Sequence, residues 1–274
     1  MLETFLLDAE KQNKFLKISI TTIFITFILG IVNHYFLNGI SFFLITLVSL
    51  SLSYPVVRYI LDIDRGEIDK LKNHKFTFQR YERELVVLWS IFCGAVVGFY
   101  LLNFFGFTID FRYEESFISA IKGNFLENQL SFFQILSNNL LVALVTFLIS
   151  TMVFSGLIFI LLWNASILAF YLSSLGSHRN AVIGGVNILS YGLIEVGGFI
   201  LAGMAGGILA YRLHKGFKSR YYKHRLEDGT FEKRRDRRRT FEKLVNKQLF
   251  IDTLVLTFAS VIFIVIAAFI ETML

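Results

Sequence analysis

The chain has almost none of the residues that cross-link a protein or break its helices. Its 274 residues include one cysteine, Cys93, and one proline. A single cysteine excludes an intrachain disulfide, and a single proline leaves most helical segments without the residue that interrupts them. The five histidines are scattered, with no His-x-x-x-His pair and no cysteine cluster, so we expect no metal site and no cofactor. No phosphate-binding glycine loop or nucleophile-elbow serine is present either, and we expect no enzymatic activity.

Apolar residues are abundant instead. They make up 55% of the chain, and the mean hydropathy is +0.61. The apolar residues form continuous runs rather than alternating with polar ones, which excludes an outer-membrane barrel. Runs of roughly 20 apolar residues are long enough to cross a bilayer as helices. The sequence therefore predicts an all-α fold, a polytopic transmembrane helical bundle.

The number of crossings depends on the fourth of six apolar runs. The runs are Ile18–Phe36, Ile40–Leu61, Leu85–Phe105, Leu140–Leu172, Ile188–Tyr211 and Leu249–Ile270. The fourth is longer than the roughly 17–25 residues that one upright helix needs. Trp163-Asn164-Ala165 is its only polar break, so we predict a helix to about Leu162 and a short return element over Ser166–Leu172. The expected count is seven crossings, or six plus a re-entrant hairpin.

Basic residues indicate the orientation. Lys and Arg number three before the first run, six in Asp62–Glu84 and thirteen in Leu213–Gln248. By the positive-inside rule these segments are cytoplasmic. We therefore expect a multi-pass protein of the cell membrane with a cytoplasmic N-terminus and an external C-terminus.

The segment Leu213–Gln248 is the most basic part of the chain. We expect it to bind anionic lipid headgroups, through the cluster Lys233, Arg234, Arg235, Arg237, Arg238 and Arg239. A protein partner is the alternative, and nucleic-acid binding is not expected because no recognised nucleic-acid module surrounds the cluster.

The chain divides into two expected parts. Residues 1–131 form an N-terminal three-helix membrane segment that ends in an external amphipathic stretch, either lying on the membrane interface or packed on the bundle. Residues 132–274 form the membrane core, which includes the basic cytoplasmic loop 213–248.

Glu195 is the one ionisable residue inside the run Ile188–Tyr211. A carboxylate in the membrane costs on the order of 2.5–3.5 kcal/mol on insertion scales, which makes it a candidate functional residue or a structural hydrogen-bond partner. The other polar residues within the runs or at their edges complete a predicted intramembrane polar site: Asn138, Asn139, Asn164 and Tyr191. Asn138 or Asn139 could equally be a helix N-cap.

Small residues surround Glu195 on the same predicted helix. Gly198, Ala202 and Gly206 recur every four residues, with Gly192, Gly203 and Gly207 beside them. Such a ridge lets another helix approach closely. We expect the partner to be the helix Leu140–Leu162, or a second copy of the same helix in a homodimer.

Over Phe132–Ile270 the chain resembles the stage II sporulation protein M family. The motifs that carry the resemblance are Asn138-Asn139, Trp163-Asn164, Gly192-Leu-Ile-Glu195 and Ala202-Gly-Met-Ala-Gly206. Tyr191 stands where the family usually has His, and Ala165 where it has Gly. The resemblance implies a non-enzymatic scaffold or organiser in membrane remodelling or complex assembly, with partner membrane proteins. The alternative is a transporter, channel or lipid scramblase that uses the polar site around Glu195.

Overall fold

A computed structural model describes residues 14–36, 44–46, 48–49, 51–52, 76–107, 131–152, 155–175, 181–223 and 232–273. Every element longer than a turn in these ranges is helical, as predicted. The helices are α1 (Lys14–Phe36), α2 (Thr77–Arg80), α3 (Glu82–Phe104), α4 (Phe132–Met152), α5 (Ser155–Leu175), α6 (Ala181–Lys223) and α7 (Glu232–Met273).

Six helical segments among the described residues are long and apolar enough to span a membrane, which confirms a multi-pass helical bundle. They are Phe15–Phe36, Glu82–Phe104, Phe132–Met152, Gly156–Ser173, Leu189–Ala210 and Lys247–Met273. Most of the predicted run Ile40–Leu61 lies outside the described residues. The parts that are described are helical and contribute Leu44, Ile45, Val48 and Leu52 to the core.

The packing of α3 on α1 gives the relative direction of the two helices. Gly94 of α3 packs on Ser19 of α1, and Gly98 packs four residues further along on Thr26. Residue numbers increase together, so α1 and α3 are parallel. Most of the stretch between Phe36 and Thr77 lies outside the described residues, so the expected count of seven crossings stays a prediction.

The predicted turn at Trp163-Asn164-Ala165 is wrong. The structure divides the long fourth run between Met152 and Ser155, and α5 continues through Asn164 to Leu175. The Asn164 Nδ2 donates to the backbone oxygen of Ile160 at 2.8 Å. Because this bond satisfies the amide within its own helix, a polar residue interrupts the hydropathy without interrupting the helix. The return is a full span rather than the short element predicted over Ser166–Leu172.

The predicted loop 213–248 is also largely helical. α6 has 43 residues and α7 has 42, so each extends well past its apolar span. We call the side of the layer on which α6 ends and α7 begins the basic side. The external stretch predicted before residue 132 lies mostly outside the described residues. α3 ends before it at Phe104, and Gly106, two residues further on, has a φ of 79° that favours glycine.

α6 is the centre of the bundle, and its apolar window is 61% buried, the largest share among the six spans. Three glycines bring three different helices against its backbone. Gly206 packs on the Phe147 carbonyl of α4, Gly203 on Leu157 of α5, and Gly198 on Ile264 of α7. Close packing on several sides fixes the depth and rotation of Glu195.

Candidate functional site

Glu195 lies on the face of α6 that packs against α4. Gly206 marks that face, because a Cβ there would lie 3.1 Å from Cβ of Ser150. Eleven residues make about three helical turns, so Glu195 shares the face of Gly206, and Asn139 shares the face of Ser150.

α4 and α6 run in the same direction along this contact. Ala143 of α4 belongs to one core cluster with Phe199 and Ala202 of α6, one turn before the contact between Phe147 and Gly206. The two helices are therefore parallel, and Glu195 and Asn139 lie at the same level on facing sides.

Asn139 is a buried amide that lacks a hydrogen-bond partner. Its side chain is 4% exposed, and Nδ2 has no partner among the described residues. A buried donor without a partner is costly and therefore uncommon. The alternative that Asn138 or Asn139 caps a helix is wrong, because α4 begins at Phe132 and both residues lie inside it.

Two residues that the sequence analysis did not select complete the neighbourhood of Glu195. Tyr191, one turn earlier on α6, lies within electrostatic reach of Glu195, of Glu271 and of Tyr171. Tyr171 is near the end of α5, and Glu271 is near the end of α7. Four residues from three helices thus form what we call the boundary cluster: Tyr171, Tyr191, Glu195 and Glu271.

The sequence offered only a weak signal for the two additions. Glu271 is the one acidic residue between Asp252 and the end of α7, but its position after an apolar run is equally typical of a solvated helix end. Tyr171 reads as an aromatic residue at the membrane interface.

Asn164 lies at the depth of the boundary cluster without joining it through the described contacts. α5 and α6 are antiparallel, because Leu157 meets Gly203 and Tyr171 lies near Tyr191. Asn164 is seven residues after Leu157 on α5, and Glu195 is eight residues before Gly203 on α6. Asn164 and Glu195 therefore lie at about the same depth in the layer. Its hydrogen bond to Ile160 turns the amide nitrogen to its own helix.

The other predicted packing residues differ in their surroundings. Ala202 is buried in the α4–α6 contact, and Gly207 is half-buried. Gly192 is less closely packed, since a Cβ there would meet no described residue within 4 Å. Gly197, which was not selected, packs on Phe263, since a Cβ there would lie 3.0 Å from its ring. The basic cluster Lys233–Arg239 belongs to α7, and lipid binding by it stays a prediction.

A second polar centre lies on the basic side. Asp252 of α7 is fully buried. Its Oδ1 accepts hydrogen bonds from Thr77 Oγ1 at 2.9 Å and from Gln248 Nε2 at 3.2 Å. Arg80 Nη2 lies 3.3 Å from the same oxygen, and Tyr81 donates to Oδ2 at 3.2 Å. This Asp252 cluster joins the chain around α2 to the beginning of the last span.

Small residues also join α1 to α3. Ser19 donates from Oγ to the backbone oxygen of Ser90 at 3.1 Å, and Gly94 and Gly98 continue the same face of α3. The spacing Ser90, Gly94, Gly98 is the signal that could have found this contact, because small residues four apart favour close helix packing. No group of three or more residues able to hold a metal ion occurs in the part of the chain that the structure describes.

Comparison with known families gives one match. The sequence model of the family described as Stage II sporulation protein M matches residues 85–274. The match starts before the stretch Phe132–Ile270 that carries the resemblance, and it includes nearly all of α3. No curated protein matches the chain, and no solved structure matches it.

Proposed function

The chain belongs to the stage II sporulation protein M family, and on that premise we propose that this integral membrane protein is a non-enzymatic scaffold. It organises partner proteins in membrane remodelling or in the assembly of a membrane complex. The basic side is cytoplasmic in this proposal, since it carries the excess of Lys and Arg.

The observation that carries the proposal is the helical extension on the basic side. α6 continues past Ala210 to Lys223, about 20 Å at 1.5 Å per residue. α7 begins at Glu232, before its span starts at Lys247, so the extension of α7 is about 22 Å long. A headgroup layer is only roughly 5–8 Å thick on each side of the hydrocarbon. Each extension is therefore long enough to reach past the lipid headgroups, where partner proteins can bind.

The composition of this extension suits protein recognition. Leu213–Gln248 has thirteen basic and five acidic residues, a net charge of +8. Between Glu232 and Met273 α7 contains neither Gly nor Pro, the residues at which helices usually kink. The close contacts of α6 with α4, α5 and α7 anchor the base of the extension.

Cross-linking in native membranes tests the proposal. The full-length chain should be isolated with defined partner proteins or as a homo-oligomer. Replacing residues 213–246 by a short Gly/Ser linker should remove those partners, because it removes the extension and keeps all spans. The matched control changes the six basic residues at 233–239 to the other basic residue type, which keeps the charge. A monodisperse monomer with no cross-linked partner in native membranes would contradict a scaffold.

A transporter, channel or lipid scramblase is the second candidate. The observation that favours it is the buried Asn139 amide without a partner on the α4 face opposite Glu195. An interrupted helix no longer supports it, because α5 is continuous through Asn164. Ion flux or lipid scrambling in proteoliposomes, lost in Glu195→Gln and kept in Glu82→Gln, would establish this function. If neither ion flux nor lipid scrambling is found across varied ions and lipids, this second candidate function is contradicted.

A further inference from the structure

The lipid-facing surface of α7 changes from apolar to charged close to the start of its span. Phe258, Leu254 and Phe250 are 69%, 54% and 45% exposed. Lys247, which precedes Phe250 by one turn on the same side of the helix, is an exposed charged residue, and the span starts there. Phe250 therefore marks the edge of the hydrocarbon, and Lys247 lies among the lipid headgroups.

The basic cluster at positions 233–239 lies well beyond this edge. α7 is one helix from Glu232 to Met273. Arg239 precedes Phe250 by eleven residues and Lys233 precedes it by seventeen, so they lie about 16 Å and about 26 Å outside the hydrocarbon. The average tilt of a span, about 20°, shortens these distances by only about a twentieth.

The headgroups account for only a small part of that distance. A headgroup layer of roughly 5–8 Å leaves the nearest residue of the cluster, Arg239, roughly 8 Å or more beyond the lipid. This is about one Debye length at physiological salt, and the rest of the cluster lies further out. The continuous helix thus holds the cluster away from the charges of the bilayer.

The composition of the cluster does not suit a flat lipid surface either. No apolar residue lies between Glu232 and Thr240, so this part of α7 has no apolar face to insert at a membrane interface. Positions 233–239 make nearly two turns, and their six basic residues spread over about two-thirds of the helix circumference. A bilayer surface meets one side of a helix, whereas a partner that surrounds the helix meets all of them.

The same stretch favours a protein over a nucleic acid. No aromatic residue lies between Glu232 and Thr240, and single-stranded nucleic acids are bound largely by stacking their bases on aromatic side chains. Asp236 occupies the middle of the cluster and repels phosphate. A protein segment can place a neutral or basic residue beside Asp236 and acidic residues beside its neighbours.

We propose that the basic cluster binds an acidic segment of a partner protein, which surrounds this part of α7 beyond the lipid headgroups. Six basic and two acidic residues give positions 232–240 a net charge of +4, which an acidic segment complements. This proposal names the class of partner and rests on the scaffold function. It replaces lipid headgroups as the expected ligand of the cluster.

An acidic peptide of defined sequence tests the charge complementarity. The full-length chain in nanodiscs of phosphatidylcholine is titrated with a labelled peptide of Glu-Ser repeats at physiological salt, and binding is followed by fluorescence anisotropy. Changing all six cluster residues to Gln should weaken binding more than tenfold, because even one lost hydrogen bond between charged groups changes affinity by about tenfold. The matched control exchanges Lys and Arg at the same six positions and should keep the affinity. Equal binding by the Gln variant would overturn the proposal.

The lipid around the chain distinguishes a protein ligand from headgroups. Discs are excised with a polymer from vesicles of phosphatidylcholine and phosphatidylserine, and the share of phosphatidylserine in the discs that contain the chain is measured. This share should be the same for the unmodified chain and for the Gln variant. A smaller share in the Gln variant would show that the cluster holds headgroups, and the proposal would be wrong.

Deleting residues 240–246 tests the distance itself. The deletion brings the cluster about 10 Å closer to the hydrocarbon. It removes one acidic and one basic residue, so the net charge is unchanged. The shortened chain should gather more phosphatidylserine than the unmodified chain. An unchanged share would contradict the argument that the helix holds the cluster away from the lipid.

Photo-cross-linking from within the cluster identifies the class of partner. In native membranes, Asp236→p-benzoylphenylalanine should form an adduct with a protein segment rich in Asp and Glu, which mass spectrometry maps. An adduct with lipid or RNA would overturn the proposal. The same holds if position 236 forms no adduct while partners are cross-linked elsewhere on the chain, and the scaffold function then stands. If no partner is cross-linked anywhere, the scaffold function fails, and this proposal fails with it.

Discussion

Removing Arg80 should destabilise the bundle by withdrawing the only cation that the structure places on Asp252 within its described residues. Asp252 is fully buried, and the Arg80 side chain is 11% exposed. Deleting one partner of such a pair typically costs about 3–5 kcal/mol, because the other charge stays buried. Thr77, Tyr81 and Gln248 still donate to the carboxylate. We therefore expect Arg80→Met to cost about 3 kcal/mol, the lower end of that range.

Two further variants separate charge from hydrogen bonding. Thr77→Val removes one neutral donor to a charged acceptor and should cost about 1.5 kcal/mol. The double variant Arg80→Met with Asp252→Leu removes both charges together. It should be more stable than Arg80→Met alone, because replacing a buried ion pair by apolar residues is often neutral.

The single cysteine of the chain provides the assay. Cys93 is partly buried on α3, so its reaction with a thiol-specific dye reports the opening of that helix. The labelling rate in detergent is followed as denaturant is added, for each variant and for the exposed control Arg83→Met. If Arg80→Met loses no more stability than Arg83→Met, or if the double variant is the least stable of all, the buried pair does not act as described.

Three further outcomes follow from the packing and the charge pattern. Gly206→Leu should lose roughly 1–3 kcal/mol of stability by overpacking, whereas Gly192→Ala should be neutral in the same unfolding assay. Equal losses of stability in the two variants would contradict the close contact between Gly206 and α4. Gly98→Leu should separate α1 from α3, which is measured as faster proteolysis of the N-terminal segment, and unchanged proteolysis would contradict the contact. Reporter tags should find Met1 in the cytoplasm and Leu274 outside, and tags on one common side would refute the seven-crossing count.

The sequence was sufficient for the fold class because the information it needs is local. Apolar length identifies a span, and spacing of four identifies small residues that share one face. Gly198 and Gly206 were selected on that basis, and both pack against neighbouring helices. Their partners differ, because glycines eight residues apart on α6 face α7 and α4 respectively.

What could not be read from the sequence depends on contacts between distant residues. Thr77 and Asp252 are separated by 175 positions, and no local pattern marks their pairing. The break between Met152 and Ser155 is followed by Ser155-Gly156, a dipeptide common in turns, while Asn164 supplies a false turn signal and is satisfied inside α5. Basic composition predicted a loop at 213–248, although Lys and Arg are good helix formers.

The contact between α1 and α3 has a consequence for biosynthesis. The face of α1 that α3 covers carries Ser19, Thr22 and Thr26, all buried in the finished bundle. A ribosome completes α1 first and α3 only after the whole 37–81 stretch. Until then this hydroxyl-bearing face meets either lipid or the insertion machinery. A nascent chain truncated before α3 should therefore be released into the bilayer less readily than one that contains Ser90, Gly94 and Gly98, and membrane insertion of the first helix becomes coupled to the synthesis of the third.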